Sequence, residues 1–199
     1  MAIARLTSPP NNRDASDLTD LMLSAGRPYC DWVGHDDSWR RFLRESIGAE
    51  TAEHSYRWVA VSKTLNDQVD GVTVTVPAAE IEACRQRDSL AFILSTPSEM
   101  RGSLLRSLRA VEGALPPVPA GCAYLSKVAV RESSRGSGLG ERLLDFVMRE
   151  ANEQGQPIAL HVASDNDSAR RIYMNAGFKA LAMGAVVRGS RYMLLRGPT

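Results

Sequence analysis

Hydrophobic residues recur along this chain with two different spacings, and each change of spacing marks a boundary between elements. The apolar run Ile3–Leu6 reads as a short opening strand, which Pro9-Pro10-Asn11-Asn12 interrupts. Leu18, Leu21 and Met22 then fall at helical spacing, so a helix is expected over Asp14–Ala25, capped by Asp14 or Ser16 and ending near Gly26. Ser38–Ile47 reads as another helix, with Trp39, Phe42, Leu43 and Ile47 on one stripe and Arg40, Arg41, Arg44 and Glu45 off it. Tyr56–Ser62 and Val69–Val76 form an expected antiparallel hairpin turned by Asn66-Asp67. In its second strand Val72, Val74 and Val76 alternate with Thr73 and Thr75, the pattern of a sheet covered by core on one face, and Pro77 ends it.

From Ala78 to Pro119 the spacing becomes helical again and closes on Pro116-Pro117-Val118-Pro119. Within Ser98–Leu115 the residues Leu104, Leu105, Leu108 and Val111 make one apolar stripe, while Arg101, Arg106 and Arg109 lie mainly off it, either on a solvated face or toward a phosphate or acceptor. Strand Tyr124–Val130, helix Leu139–Asn152 and strand Ile158–Val162 follow as a βαβ crossover, which makes the two strands parallel neighbours. A helix over Asp167–Ala176 stopping at Gly177, then strands Phe178–Met183 and Tyr192–Leu195, complete an α/β (α+β) chain with no repeat and no long linker. A single domain spanning residues 1–199, with a helical insertion at about 78–119, is the expectation.

Composition narrows the function. Lys and Arg number 24 against 23 Asp and Glu, a net charge of +1 that recommends neither nucleic acid nor an anionic membrane as partner. The cysteines, Cys30, Cys84 and Cys122, are odd in number and far apart, which suits neither a disulfide framework nor a metal knuckle; reduced thiols in a cytoplasmic protein without a metal site are expected. Met1–Thr7 lacks a long apolar run, and no segment reaches the roughly 20 apolar residues of a membrane span, so a soluble, unprocessed protein is expected.

The chemistry concentrates in Val128–Gly140, where a strand runs into Arg135-Gly136-Ser137-Gly138-Leu139-Gly140 and the turn opens an amphipathic helix carrying Leu143, Leu144, Val147 and Met148. Glycines let a bulky anion approach the backbone, and a helix N-terminus offers unpaired N–H groups and a positive dipole end, an arrangement suited to a diphosphate. A Walker A loop is excluded because no Gly-Lys-Ser/Thr is present, and the GxGxG spacing departs from the Rossmann GxGxxG. A purely structural glycine turn stays open on this segment alone. Further on, Asn166 can cap a helix on which Ala169, Ile172 and Tyr173 share a face, and Gly177 supplies a left-handed end. Taken alone, Tyr173 fits core packing as well as chemistry.

Together the two segments resemble the GNAT (Gcn5-related N-acetyltransferase) superfamily: Arg135-Gly-Ser-Gly138-Leu-Gly140 fits its Arg/Gln-x-x-Gly-x-Gly/Ala pyrophosphate motif, and Asn166-x-x-Ala169-x-x-x-Tyr173 with Gly177-Phe178 fits its next signature. The close match covers about Ala123–Phe178. The resemblance implies a mixed, mostly antiparallel sheet of about seven strands with a splayed parallel pair, flanked by helices, and acetyl-CoA or coenzyme A as cofactor. On that basis the backbone of Val128, Ala129 and Val130 would bind pantetheine, opposite a strand that splays away near Val162. Arg135, Gly136, Ser137, Gly138, Leu139 and Gly140 would hold the pyrophosphate, with Glu141 beside them. Asn166 would touch the pantetheine arm, Ala169 and Arg170 would flank the cofactor, and Tyr173 would return a proton to the CoA thiolate.

Attack by an amine near pKa 10 requires a proton acceptor. Many members of the superfamily carry Glu or His on the strand before the loop, facing the acceptor, whereas the corresponding positions here are Tyr124 and Ser126. A water chain, Glu80, Glu82 or Glu99 stand as alternatives. His161 reads as a surface or hydrogen-bonding residue or as a base, Cys122 as core or nucleophile, and Tyr29, Trp32 and Trp39 as walls of an acceptor pocket or as core. The expected activity is transfer of acetyl to a primary amine of a small molecule or a protein, with no nucleic acid or membrane partner. The alternatives are a non-catalytic acyl-CoA-binding domain and an enzyme for peptide ends. The helical insertion would shape the acceptor site or a homodimer contact.

Overall fold

The computed structural model describes residues 2–26, 29–33 and 36–198, the side chains of Trp32, Val33 and Asp36 excepted. Its centre is a seven-stranded sheet made of β1 (Ile3–Arg5), β2 (Val59–Lys63), β3 (Val69–Val76), β4 (Ala123–Val130), β5 (Ile158–Ala163), β6 (Lys179–Met183) and β7 (Tyr192–Arg196), in the order β1-β2-β3-β4-β5-β7-β6. All neighbours are antiparallel except β4 and β5, which the crossover makes parallel. The helices among the described residues are α1 (Asn12–Ala25), α2 (Tyr29–Val33), α3 (Asp36–Gly48), α4 (Ile81–Ser95), α5 (Ser98–Glu112), α6 (Leu139–Glu153) and α7 (Asp167–Asn175).

Helices α1 to α5 pack one core cluster against β2, β3 and the end of β4, through Leu18, Met22, Leu43, Phe92 and Leu108 over Val59, Val72, Val74 and Ala129. Helices α6 and α7 pack another, in which Leu144, Val147 and Ala151 meet Leu125, Leu160, Val162, Phe178 and Leu195. This double cover corrects the expectation for β3: all of its residues are buried, Thr73 and Thr75 included, because α6 lies on the face that the alternation suggested was open. Gly71 makes that contact close, since a Cβ there would lie 3.0 Å from both Leu139 and Leu143.

Three expected boundaries shift. α1 starts at Asn12 because Asn11, not Asp14 or Ser16, is its cap, with Oδ1 accepting from the Asp14 N–H at 2.9 Å. Tyr56–Trp58 is a 3-10 turn capped by Ser55, so β2 begins only at Val59. Phe178 is core rather than strand, and β6 starts at Lys179 as an exposed edge. The helical reading of the stretch before β4 is met by α4 and α5, and the Arg101 Nε and Nη2 close their joint by donating to the Thr96 and Leu94 carbonyls at 2.9 and 3.0 Å. No described helix is long and apolar enough to cross a membrane.

Candidate active site

The opening in the sheet is set by register. β4 follows β3 along its whole length, from Val76↔Tyr124 to Gly71↔Val130, but pairs with β5 only at Ala123↔Ile158 and Tyr124↔Ala159. From Leu125 onward β4 and β5 diverge, which leaves the backbone of Val128, Ala129 and Val130 without a strand neighbour on the β5 side. The β3–β4 register also shifts between Val74, opposite Lys127, and Thr75, opposite Leu125, so that Ser126 stands on a bulge at the point of divergence.

Beyond Val130 the chain is anchored before it turns: the Arg131 Nη2 lies 2.8 Å from the Asp17 carboxylate of α1, and its guanidinium donates to the Val69 carbonyl at 2.8 and 3.0 Å. Gly136 and Gly138 then adopt φ of +75° and +74°, a left-handed backbone that side chains of L-residues disfavour. A Cβ at Gly136 would meet nothing within 4 Å, so backbone conformation rather than crowding demands glycine, and the loop faces open space. Gly138 caps α6 without any side-chain hydrogen bond, leaving the first-turn N–H groups of Leu139, Gly140 and Glu141 for a ligand. Arg135, Gly136, Ser137 and Glu141 are exposed, while Leu139 is buried and locks the helix start to β3. These features fit a diphosphate: an anion can approach the backbone over Gly136 and meet unpaired N–H donors.

Helix α7 borders the other side. The Asn166 Oδ1 accepts from the Ala169 N–H at 3.1 Å, and Arg170 Nη1 donates to the Ser164 carbonyl at 3.0 Å and meets Asp167 at 2.9 Å, so both side chains are committed to shaping the start of this helix. Tyr173 is half-buried against Phe178, with ring centroids 5.6 Å apart. Burial and the neighbouring Tyr124 push its phenol up to about 12, so it holds its proton at neutral pH.

On the α1–α5 face, at the mouth of the divergence, the candidates Tyr124, Ser126 and His161 meet four residues that the sequence did not single out, Glu53, His54, Arg85 and Asp88. Glu53, from the loop after α3, accepts the Ser126 hydroxyl, and its Oε2 is 4.0 Å from Arg85 Nε of α4. The Arg85 guanidinium sits 4.6 Å over the Tyr124 ring. The Tyr124 hydroxyl donates to His161 Nδ1 at 3.1 Å, and His161 Nε2 donates to the Pro116 carbonyl at 2.8 Å, which fixes the imidazole as the Nε2–H tautomer. Burial lowers His161 to about 4, so it is a neutral hydrogen-bonding residue. Asp88 of α4 accepts the Glu53 backbone N–H at 2.9 Å, and burial raises its carboxyl to about 7. His54 is 6% exposed with both ring nitrogens lacking hydrogen-bond partners, and burial with the Lys127 charge lowers it to about 4. For Glu53 burial acts upward, but His54, Lys127, Arg85 and the Ser126 hydroxyl outweigh it and hold the carboxyl below its usual range.

Nothing in residues 49–55 has a period or a motif, and Glu53 meets Ser126 only because β3 carries β4 past the α3–β2 loop. Glu80 at the cap of α4, Glu82 on α4 and Glu99 on α5 are exposed. Tyr29 donates its backbone N–H to the Tyr192 hydroxyl at 3.1 Å and sits edge-on to Trp39, which is core: 6% exposed, stacked on Phe92, its Nε1 donating to the Cys30 carbonyl. Cys122 packs with Ala159 and Leu194 as core, and the Trp32 side chain lies outside the described residues. Among the described residues no group of three or more His, Cys, Asp or Glu could hold a metal ion.

The sequence model of the acetyltransferase (GNAT) family matches residues 78–178, half of the chain and the whole of β4–α6–β5–α7. The chain belongs to this family. Its fold is that of other GNAT structures: it is similar to an N-acetyltransferase from Staphylococcus aureus Mu50, with a TM-score of 0.69, 16% identity, and coverage of 98% of this chain and 100% of that one. It is likewise similar to the NatC complex bound to Gag peptide and CoA, with a TM-score of 0.57, 15% identity, and 100% and 99% covered. A curated relative, the chloroplastic GCN5-related N-acetyltransferase 7 of Arabidopsis thaliana, is 40% identical over 58 residues, 29% of this chain and only 21% of that protein. The mixed GNAT sheet with its splayed parallel pair is thus the observed fold.

Proposed function

We propose that this GNAT acetyltransferase uses acetyl-CoA and transfers the acetyl group to a primary amine, of a small molecule or a protein, by direct attack on the thioester. The observation that carries the reading is the loss of β4–β5 pairing after Tyr124↔Ala159 directly before a left-handed Gly136–Gly138 turn and an uncapped helix start. Acetyl-CoA, once bound, supplies the thioester. Its diphosphate would rest on the amides of residues 136–141, and its pantetheine arm would replace the missing strand beside Val128–Val130. Backbone N–H groups of the same strand would stabilise the oxyanion, and Tyr173, kept protonated, would give its proton to the leaving thiolate. The odd, widely separated cysteines support a cytoplasmic setting.

Calorimetric titration of acetyl-CoA into the wild type and into Gly138→Trp tests the cofactor. Micromolar binding is expected in the wild type, as for a typical ligand held at about −8 kcal/mol. Gly138→Trp should abolish it, because the indole fills the turn at φ +74°. A folded wild type that does not bind would overturn the reading.

A further inference from the structure

We propose that Glu53, acting through the Ser126 hydroxyl, takes the proton that leaves the acceptor nitrogen. The inference rests on the N-acetyltransferase reading above and adds the proton acceptor which that chemistry needs. An amine that has attacked a carbonyl carries an acidic N–H, and its loss commits the adduct to forward reaction. Ser126 stands on the β4 bulge, one residue past the start of the divergence from β5 and therefore beside the slot that the thioester would enter. Its hydroxyl already points its proton at Glu53 Oε1. A carboxylate that receives this hydroxyl can drive a two-proton shift. The N–H proton passes to Ser126 Oγ while the proton of Ser126 passes to Glu53, so the serine is unchanged, Glu53 becomes neutral, and solvent later restores the carboxylate. The proton needed by the thiolate comes separately, from Tyr173.

The surroundings hold Glu53 for this task. Its backbone is pinned by Asp88 at 2.9 Å, and its other oxygen faces Arg85 at 4.0 Å. The charged and titratable groups that face it are His54 from its own loop, Lys127 and Tyr124 from β4, Cys84, Arg85 and Asp88 from α4, Tyr29 from α2 and His161 from β5. The two cations keep the carboxyl ionised across the neutral range, whereas Tyr29 and Tyr124, pushed upward by burial, stay neutral.

The test uses wild type, Glu53→Gln, Glu53→Asp and Ser126→Ala, with ethylamine as the acceptor probe and thiol release from acetyl-CoA as the rate. Glu53→Gln should bind acetyl-CoA like the wild type by calorimetry but release thiol on the order of 100-fold more slowly at pH 7, with Glu53→Asp recovering part of the loss. The deficit should shrink as pH is raised to 9.5, because hydroxide takes over the proton. In Ser126→Ala, carbon-detected NMR should show the Glu53 carboxyl titrating at higher pH, since a hydrogen bond to its charged form is gone. Wild-type rates in Glu53→Gln, an equal loss at both pH values, or an unmoved Glu53 titration would each overturn the proposal. So would a wild type that binds acetyl-CoA yet releases no thiol above buffer. A wild type that fails to bind acetyl-CoA would instead overturn the function proposed above.

Discussion

Between Leu125 and Glu141 the chain presents chiefly backbone: a strand edge without a neighbour, two glycines at positive φ and a helix start without a side-chain cap. Across the bulge at Ser126 the cluster is the reverse: Glu53, Arg85, Asp88, Tyr124 and His161 are half-buried side chains that orient one another beside the buried His54. The difference has a chemical logic. A diphosphate and an amide-bearing arm are matched by repeating N–H and C=O groups, which any sequence offers once register and φ are right. A single proton has to be moved at one atom, which calls for particular side chains at fixed distances. The cofactor side should therefore tolerate side-chain changes that leave the backbone alone, and the Glu53 side should not.

Four measurements put that contrast to the test. The largest effect is expected where the cofactor side does depend on a side chain, its platform: Phe178, 2% exposed beneath Tyr173, should cost about 3–5 kcal/mol when changed to Ala, read by urea unfolding. Next, Tyr173→Phe should lower the transfer rate by about 10- to 100-fold while the calorimetric affinity for acetyl-CoA stays unchanged. The third prediction concerns the buried cluster. His54 and His161, lowered to about 4, bind protons better when unfolded, so their stability is present above pH 6.5 and is lost as pH falls toward 4. Asp88, raised to about 7, acts oppositely, its stabilisation being complete at low pH and lost as pH rises through 7. The two histidines, joined by Glu53 whose carboxyl is also held low, outweigh Asp88 and leave a net loss of about 1 kcal/mol per pH unit on acidification from 6.5 to 4.5, visible in the urea midpoint. Asp88→Asn should steepen that slope. The smallest effect is expected for Ser137→Ala between Gly136 and Gly138, whose Oγ donates to the Ser134 carbonyl at 2.7 Å: a change of less than about threefold in acetyl-CoA affinity, under 1 kcal/mol. A large loss there would show that side chains, not backbone, hold the diphosphate.

The same contrast explains what could be read from the chain in advance. The Gly136–Gly140 turn, the Asn166 cap and Tyr173 lie within one crossover and the helix after it, so their spacing in sequence is their spacing in space. Residues that face one another only across the sheet carry no such signal. Glu53 and Ser126 are 73 positions apart, and Tyr124 and His161 are 37 apart on strands whose parallel pairing was foreseen but whose exact divergence was not. The alternation in β3 suggested one open face because Thr is at home in both a solvated and a buried sheet, and the close seating of α6 on Gly71 is a property of the packed structure. Asn11 displaced Asp14 as the cap because its oxygen reaches the Asp14 N–H, a choice between adjacent polar residues that spacing alone leaves open.

The central claim is that the gap between β4 and β5 is the coenzyme A slot, and hydrogen–deuterium exchange of the backbone with and without acetyl-CoA tests it most directly. The amides of residues 125–130 and 136–141 are expected to gain protection on binding, while those of α4 and the α3–β2 loop change little. Protection confined to other segments, with residues 125–130 exchanging as before, would contradict it.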